Sequence, residues 1–341
     1  MIKILLIILA FTAFFLWLSP TKACDIPVFR YALTYWHADP YEAIIFHNGA
    51  MSPGEKNLMD RLQKASVDMN SSANVAIRSV NLTVSSDPIM QKTWKDQANP
   101  ELPWIVLRYP RKSGINEDVW AGRLNNDNVA ALLDSPVRKE IARRLIKGEA
   151  AVWVLLDGGD KQQDDETAKL LGSCLDKMPK KLKISDQSSQ QFIEEEISFS
   201  MMRVSRKDTK EKVFIQMLIH SEPDLKVISK PIAFPVFGRG RVLYALVGDG
   251  INEGNIRTTW SSITGWCSCE IKDQNPGLDM LMSADWDSAI SSGLFAESNS
   301  IKIDSGKSSN IKRNILVAII IQIICIGVVG CVVLWRRRAR S

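Results

Sequence analysis

Three histidines in 341 residues leave little material for general-base chemistry or for imidazole-held metal. Neither His37 nor His47 has a neighbouring cysteine or a spaced His/Asp partner, so no metal site is read at either; each is a hydrogen-bonding side chain first and a ligand or base second. No nucleophile–base–acid pattern accompanies them, which leaves a hydrolase almost without support. Cysteine is scarce as well, six in all and no Cys-x-x-Cys pair. No basic stripe carries interleaved aromatics, so nothing suggests a single-strand nucleic-acid binder. Disorder is excluded by composition, with 45% of residues apolar.

The net charge of +5 belongs to the ends. Lys3, Lys22, Lys312, Arg313 and the four arginines of 336–340 make up eight of the 43 basic residues; the other 35 face 38 acids. A positive balance confined to apolar flanks argues for membrane topology and against nucleic acid. Ile315 to Trp335 is an uncharged run followed at once by Arg336-Arg337-Arg338-Ala339-Arg340. At 1.5 Å per residue a helix over this run is about 31 Å long, one hydrocarbon core, and the arginines favour the cytoplasmic side. The N-terminus has a basic start, an apolar stretch from Ile4 to Leu18, and Ala23 before Cys24. That reads as a signal peptide over 1–23; lipidation of Cys24 and an uncleaved anchor are the alternatives.

The expected organisation is a signal peptide (1–23), a first domain (24–148), a second (149–296), a polar serine-rich tether (297–313), a transmembrane helix (314–335) and a cytoplasmic tail (336–341). Tyr41 to His47 reads as a strand broken by Asn48-Gly49. Ser52-Pro53-Gly54-Glu55 reads as a helix start with a capping box, and Leu58, Met59, Leu62 and Ala65 follow at helical spacing. A strand over Val75–Leu82 and a short helix over Pro88–Asp96 come next. A proline-led strand (102–107) and its partner (119–124) lead to helices over Asn126–Leu133 and from Ser135-Pro136 onward.

In the second half, strands are predicted over Ala150–Leu156, Ile197–Val204 and Val213–Ile219, with a helix over Glu166–Leu182. Phe234 to Phe237, Gly238-Arg239-Gly240 and Arg241 to Val247 read as a hairpin, followed by a helix over Asn252–Thr264.

The run YEAIIFH into SPGEKNLMDRL, with Leu102-Pro103-Trp104 leading a strand pair, resembles the thioredoxin-like superfamily over roughly 41–135. A weaker likeness covers 150–265. The resemblance implies an α/β fold of two tandem mixed sheets flanked by helices, with a cis peptide at Pro103. Its redox members carry Cys-x-x-Cys between the first strand and helix. Here that turn is His47-Asn48-Gly49-Ala50-Met51-Ser52, and in the second half Asp157 to Asp164, neither with a thiol. The stretch Cys24 to Leu33 (CDIPVFRYAL) is similar to the start of the mature chain in a family of signal-bearing, single-pass bacterial membrane proteins; that likeness implies no activity.

Chemical character concentrates at Trp266-Cys267-Ser268-Cys269-Glu270. Outside the cytoplasm such thiols oxidise or bind metal. Cys267 and Cys269 are redox candidates, and with Met280 and Met282 they are soft ligands suited to Cu(I); packing is the simpler role for the two methionines. Cys24, Cys174, Cys267 and Cys269 are the disulfide candidates, and their three pairings stay open. Cys325 and Cys331 are small apolar residues of the span. The acids Asp157, Asp160, Asp164, Asp165 and Glu166 could bind calcium, but their spacing is not an EF-hand and they suit a helix N-terminus better. Gly248-Asp249-Gly250 with Gly254 lacks the lysine of a phosphate loop and reads as a turn. In the span, Gln322 with Ala318 and Gly327 is a candidate helix-contact face.

These features point to a bilayer-anchored, extracytoplasmic (periplasmic) binding or scaffold module without a cofactor. Its expected partner is an integral membrane protein, or a second copy through the span. The alternative is a thiol-disulfide or copper-handling protein using Cys267 and Cys269.

Overall fold

Two strands that are apolar on both faces organise the chain. Tyr41–His47 (β1) has Tyr41, Ala43 and Ile45 on one side and Ile44 and Phe46 on the other, all without solvent exposure. Ala151–Leu156 (β5) is buried at every position. Such runs suit central strands covered on both faces. The computed structural model describes residues 26–66, 73–186, 191–266 and 271–291.

Before β1 lies a helix, Val28–Tyr35 (α1). Pro53–Ala65 (α2) follows β1 and begins with the expected capping box. Val75–Asn81 (β2) and Pro88–Lys95 (α3) come next. The Leu102–Pro103 peptide is cis and leads into Trp104–Arg108 (β3), then Asp118–Arg123 (β4), Asn126–Leu133 (α4) and Pro136–Ile146 (α5). The sheet order is β2-β1-β3-β4. β1 runs parallel to β2 and antiparallel to β3, which is antiparallel to β4.

The second half repeats the plan with an insertion. After β5 come Lys161–Lys177 (α6), a separate antiparallel hairpin of Lys181–Asp186 (β6) and Gln191–Glu196 (β7), and Phe199–Val204 (β8). Lys212–Ile219 (α7), Ile232–Phe237 (β9), Arg241–Val242 (β10), Leu246–Val247 (β11), Glu253–Thr264 (α8), Leu278–Asp279 (β12) and Trp286–Ser291 (α9) complete it. The order is β12-β10-β9-β5-β8, with β11 also on β9. β5 is parallel to β8 and antiparallel to β9. Both halves are therefore mixed sheets flanked by helices.

One face of each sheet contributes to a single hydrophobic core. Tyr41, Ala43, Ile45 and Leu107 from the first sheet join Val152, Val154, Phe234 and Val236 from the second. Helices α5 and α7 supply Ile141, Leu145, Phe214 and Leu218 to it. Away from this core, α3 covers Ile44, Phe46 and Val106 with Met90. Helices α6 and α8 cover Trp153 and Leu155 with Leu171, Leu175 and Ile256.

Three expectations are corrected. Val213–Ile219 is helical, not a strand. Val213, Phe214, Ile215, Met217 and Leu218 are all buried, because the helix is enclosed on most sides, and an eight-residue apolar run carries no period that separates the two states. The helix expected from Glu166 starts at Lys161, where Asp160 accepts from the Gln163 N–H, and ends before β6. The returning strand Arg241–Val247 is two short ladders broken at Leu243–Ala245.

Candidate functional site

In each sheet the chain leaves the first strand towards one neighbour and later returns on its other side, β2 against β3 for β1 and β8 against β9 for β5. In open α/β sheets the crevice at the carboxyl end of such a switch-point strand is where ligands bind. The two ends to consider are thus His47–Ser52 and Asp157–Asp160.

At the first, Gly49 turns the chain at φ +66°, a conformation that L side chains rarely adopt. Its N–H donates to Asn81 Oδ1 at 3.2 Å, which also accepts from Thr83. His47 Nδ1 lies 2.9 Å from the Gly49 carbonyl and donates to it. The Ser52 hydroxyl accepts from the Glu55 N–H at 3.3 Å, and the Ser52 N–H donates to the Glu55 carboxylate at 2.7 Å. Hydrogen bonding from the Ser52 backbone N–H, and then from its hydroxyl, holds the Glu55 carboxyl below the ordinary range. Beside this turn is an open cleft of about 540 Å³ lined by Ser52, Glu55, Leu58, Arg61, Arg123 and Asn125. The imidazole and the hydroxyl are both engaged with backbone groups.

At the second end, the clustered acids are all tied within the protein. Asp160 caps α6. Asp164, 3% exposed, accepts from the Gly158 and Gly159 N–H groups at 2.6 and 3.1 Å. Asp157 and Asp165 clamp Arg203 at 2.5 and 2.6 Å, and Arg206 Nε donates to the Asp157 carbonyl. Gly158 has no room for a Cβ, which would lie 2.5 Å from the Ser229 carbonyl oxygen and 2.8 Å from Pro231 N. The β5–α6 turn is packed directly on the proline-led entry to β9. Gly248–Gly250 is a single 3₁₀ turn, as expected.

A second cleft, of about 360 Å³, opens beside β10 and β12 and is lined by Asp39, Lys112, Arg241, Asp273, Asn275 and Asp279. Asp279, 4% exposed, accepts from Arg241 at 2.9 Å, from Lys272 and from the Asp39 N–H at 2.7 Å. Lys272 also pairs with Asp39, and Lys112 with Asp273. Sequence reasoning missed this network. The available signal was a lone acid inside Leu278-Asp279-Met280-Leu281-Met282, where a buried charge requires partners. Arg61 and Arg123 were missed too, since exposed arginines at helix and strand ends carry no pattern.

Of the residues expected to carry thiol or copper chemistry, Cys24, Cys267 and Cys269 lie outside the described residues. Cys174 is a free thiol on α6, 2% exposed, and burial raises its pKa. Met280 and Met282 are each 1% exposed in the shared core. Among the described residues no group of three or more His, Cys, Asp and Glu is placed to hold a metal ion. His37 accepts from Arg239 at 3.1 Å, far along the chain. Ala318, Gln322, Gly327, Cys325 and Cys331 fall outside the described residues, among which no helix is long and apolar enough to cross a membrane.

Fold and clefts together define an α/β chain of two mixed sheets flanked by helices, with engaged polar groups at both switch points. Comparison with protein-family models and with curated proteins finds no match.

Proposed function

We propose that the chain is a non-catalytic binding or scaffold module, anchored in a membrane by 314–335 and holding an integral membrane partner on the extracytoplasmic side. In this reading both sheets are thioredoxin-like units. What supports that is the shared order: a parallel first pair, a proline-led antiparallel third strand after Pro103 or Pro231, and a helix after the hairpin. The observation that carries the functional reading is the filling of both first-strand turns. Where redox members of that superfamily place two thiols, this chain has His47 to Ser52 and Asp157 to Asp160, with their polar groups committed to caps and turns.

The test is turnover of a dithiol–disulfide substrate by the purified full-length chain in detergent. The expected result is no sustained turnover above the uncatalysed rate. Repeated turnover by the wild-type chain overturns the reading. A second reading, thiol exchange or Cu(I) handling at Cys267 and Cys269, has one observation in its favour: Trp266, immediately before them, is 45% exposed. It predicts that Cys267→Ser alone abolishes exchange or copper retention without loss of fold.

A further inference from the structure

Helix α1 buries its charge and shows its aromatics. Its one charged residue, Arg30, is 9% exposed and shares the buried side with Phe29, Ala32 and Leu33. The outward side carries Val28, Tyr31 and Tyr35, at the i, i+3, i+7 spacing of one helix face, with Thr34 beside them. Val28 and Tyr31 are half-buried and Tyr35 is 40% exposed. The Tyr31 and Tyr35 rings stand 4.7 Å apart. A helix on a water-facing surface ordinarily turns its charged residues outward; α1 does the reverse.

The apolar surface continues past both ends of the helix. At its start, Pro27 and Trp266 form an antiparallel bridge and the Val28 N–H donates to the Gly265 carbonyl at 3.0 Å. Trp266 is 45% exposed, and with Pro27, Leu182 and Trp260 it lines an open hollow of about 190 Å³. Beyond the last turn, Lys272 Nζ donates to the His37 carbonyl at 2.7 Å, which brings Ile271, 56% exposed, close to Tyr35. Of the seven large apolar side chains that are exposed among the described residues, three are gathered along this one helix, about 12 Å long. Such side chains scattered singly are ordinary; a contiguous group marks an interaction surface.

The course of the chain and the chemistry of the face indicate what covers it. Arg239, 6% exposed, donates from Nε to the Leu33 carbonyl at 2.8 Å, and from Nη2 to the Thr34 carbonyl at 3.1 Å and to Asp287 at 2.7 Å. One guanidinium thus holds the end of α1, the first described helix, against α9, the last. From α9 the sequence leads through a polar stretch to the uncharged run Ile315 to Trp335. The chain from Ser291 to Ile315 spans up to about 80 Å when extended, too long to fix how the folded part lies on a bilayer, whereas a face can fix it. Tyrosine and tryptophan join an apolar body to a hydrogen-bonding tip, the combination that places them at the level of lipid headgroups. We propose that the Tyr31–Tyr35 stripe of α1, with Trp266 and Ile271, lies in the lipid–water interface and sets the folded part on the bilayer with α1 downward. The presence of a bilayer rests on the anchoring by 314–335 proposed above; the face is the addition.

The experiment uses the full-length chain in phosphatidylcholine nanodiscs, with and without bromine on the acyl chains near the ester, a short-range quencher of tryptophan emission. Trp266→Phe and Trp335→Phe give, by difference from the wild type, the quenching of each tryptophan. The expected result is that Trp266 loses at least the fraction of its emission that Trp335 loses. Trp335 quenched with Trp266 unquenched overturns the docking face and leaves the anchor standing, whether a second copy or another protein then covers α1. Trp335 unquenched overturns the anchor; Trp266 quenched in that case keeps the face as a peripheral contact, and neither quenched overturns both. Tyr35→Asp, made with and without Trp266→Phe and with and without Trp335→Phe, puts a charge into the stripe. It is expected to relieve the quenching of Trp266 and not that of Trp335. Undiminished quenching of Trp266 in Tyr35→Asp removes α1 from the face and overturns the proposal.

Discussion

At the residue scale the decisive groups are buried charges with complete sets of partners. Asp279 is the sharpest case, holding Arg241 and Lys272 together with the Asp39 amide. Removing it leaves a guanidinium and an ammonium facing each other in a site where both side chains are largely shielded. Asp279→Ala is therefore expected to lower stability by about 3–5 kcal/mol, seen as a lower urea midpoint. Arg241→Met with Asp279→Leu, which removes both charges, should lose much less; an equal loss for the pair would show that the penalty is packing rather than an unpaired charge. Glu140 gives the matching statement for pH. Bonds from Arg143 and Arg144 lower its pKa from the ordinary 4.5 to about 2. The unfolded chain thus binds its proton first, and the stability from this group is complete above 4.5 and lost as pH falls through about 2. The decline of the thermal midpoint across that window should be shallower in Glu140→Gln, and an unchanged slope would remove Glu140 from the acid response.

At the scale of elements, backbone geometry sets the outcome of two glycine substitutions in opposite directions. Gly158 faces backbone atoms of 229–231 at 2.5–2.8 Å from an ideal Cβ, whereas Gly172, inside α6, faces open space. Gly158→Ala should destabilise by about 1–3 kcal/mol because neither backbone can yield freely. Gly172→Ala should stabilise by about 1 kcal/mol through helix propensity. Thermal melts of the two variants test both signs. The same contrast explains what the sequence made legible. The capping box at Ser52, the proline caps at Pro53, Pro88 and Pro136, and the buried runs of β1 and β5 are local signals, and each lies where local reading puts it. Helix α7 was illegible because its apolar faces come from the two sheets around it, not from its own period. The β6–β7 hairpin was hidden by its charged sequence, in which the backbone register pairs positions 181 and 183 with 196 and 194. The clefts were the least legible of all, since Asp39, Arg241 and Asp279 meet only after some 240 residues of chain have folded.

At the scale of the whole molecule, one segment joins the two sheets. Residues 278–283 pair with β10 through β12, and the Met280 N–H donates to the Gly240 carbonyl at 3.0 Å. On their other side, Asn74 Nδ2 donates to the Met280 and Asp39 carbonyls at 3.1 and 2.9 Å, and Asn74 Oδ1 accepts from the Met282 N–H at 2.6 Å. The Tyr41 hydroxyl donates to the Asp279 carbonyl, and Arg138 of α5 donates to the Leu281 carbonyl at 2.6 Å. Around these bonds the core is continuous from β1 to β5. A shared core with a hydrogen-bonded strap predicts that neither sheet unfolds alone. Amide exchange measured by mass spectrometry should give β1 and β5 the same opening free energy, the global one. Asn74→Ala then provides the discriminating case. It leaves the buried Met280 carbonyl and Met282 N–H and the part-buried Asp39 carbonyl without their Asn74 partner, at a cost of about 2–4 kcal/mol from the usual penalty per unmade buried bond. If the sheets are one cooperative unit, β1 and β5 lose protection by the same amount, although only β1 is near the substitution in the first sheet. If they open independently, β5 keeps its protection while β1 loses it, and the strap is then only a contact between separate folding units.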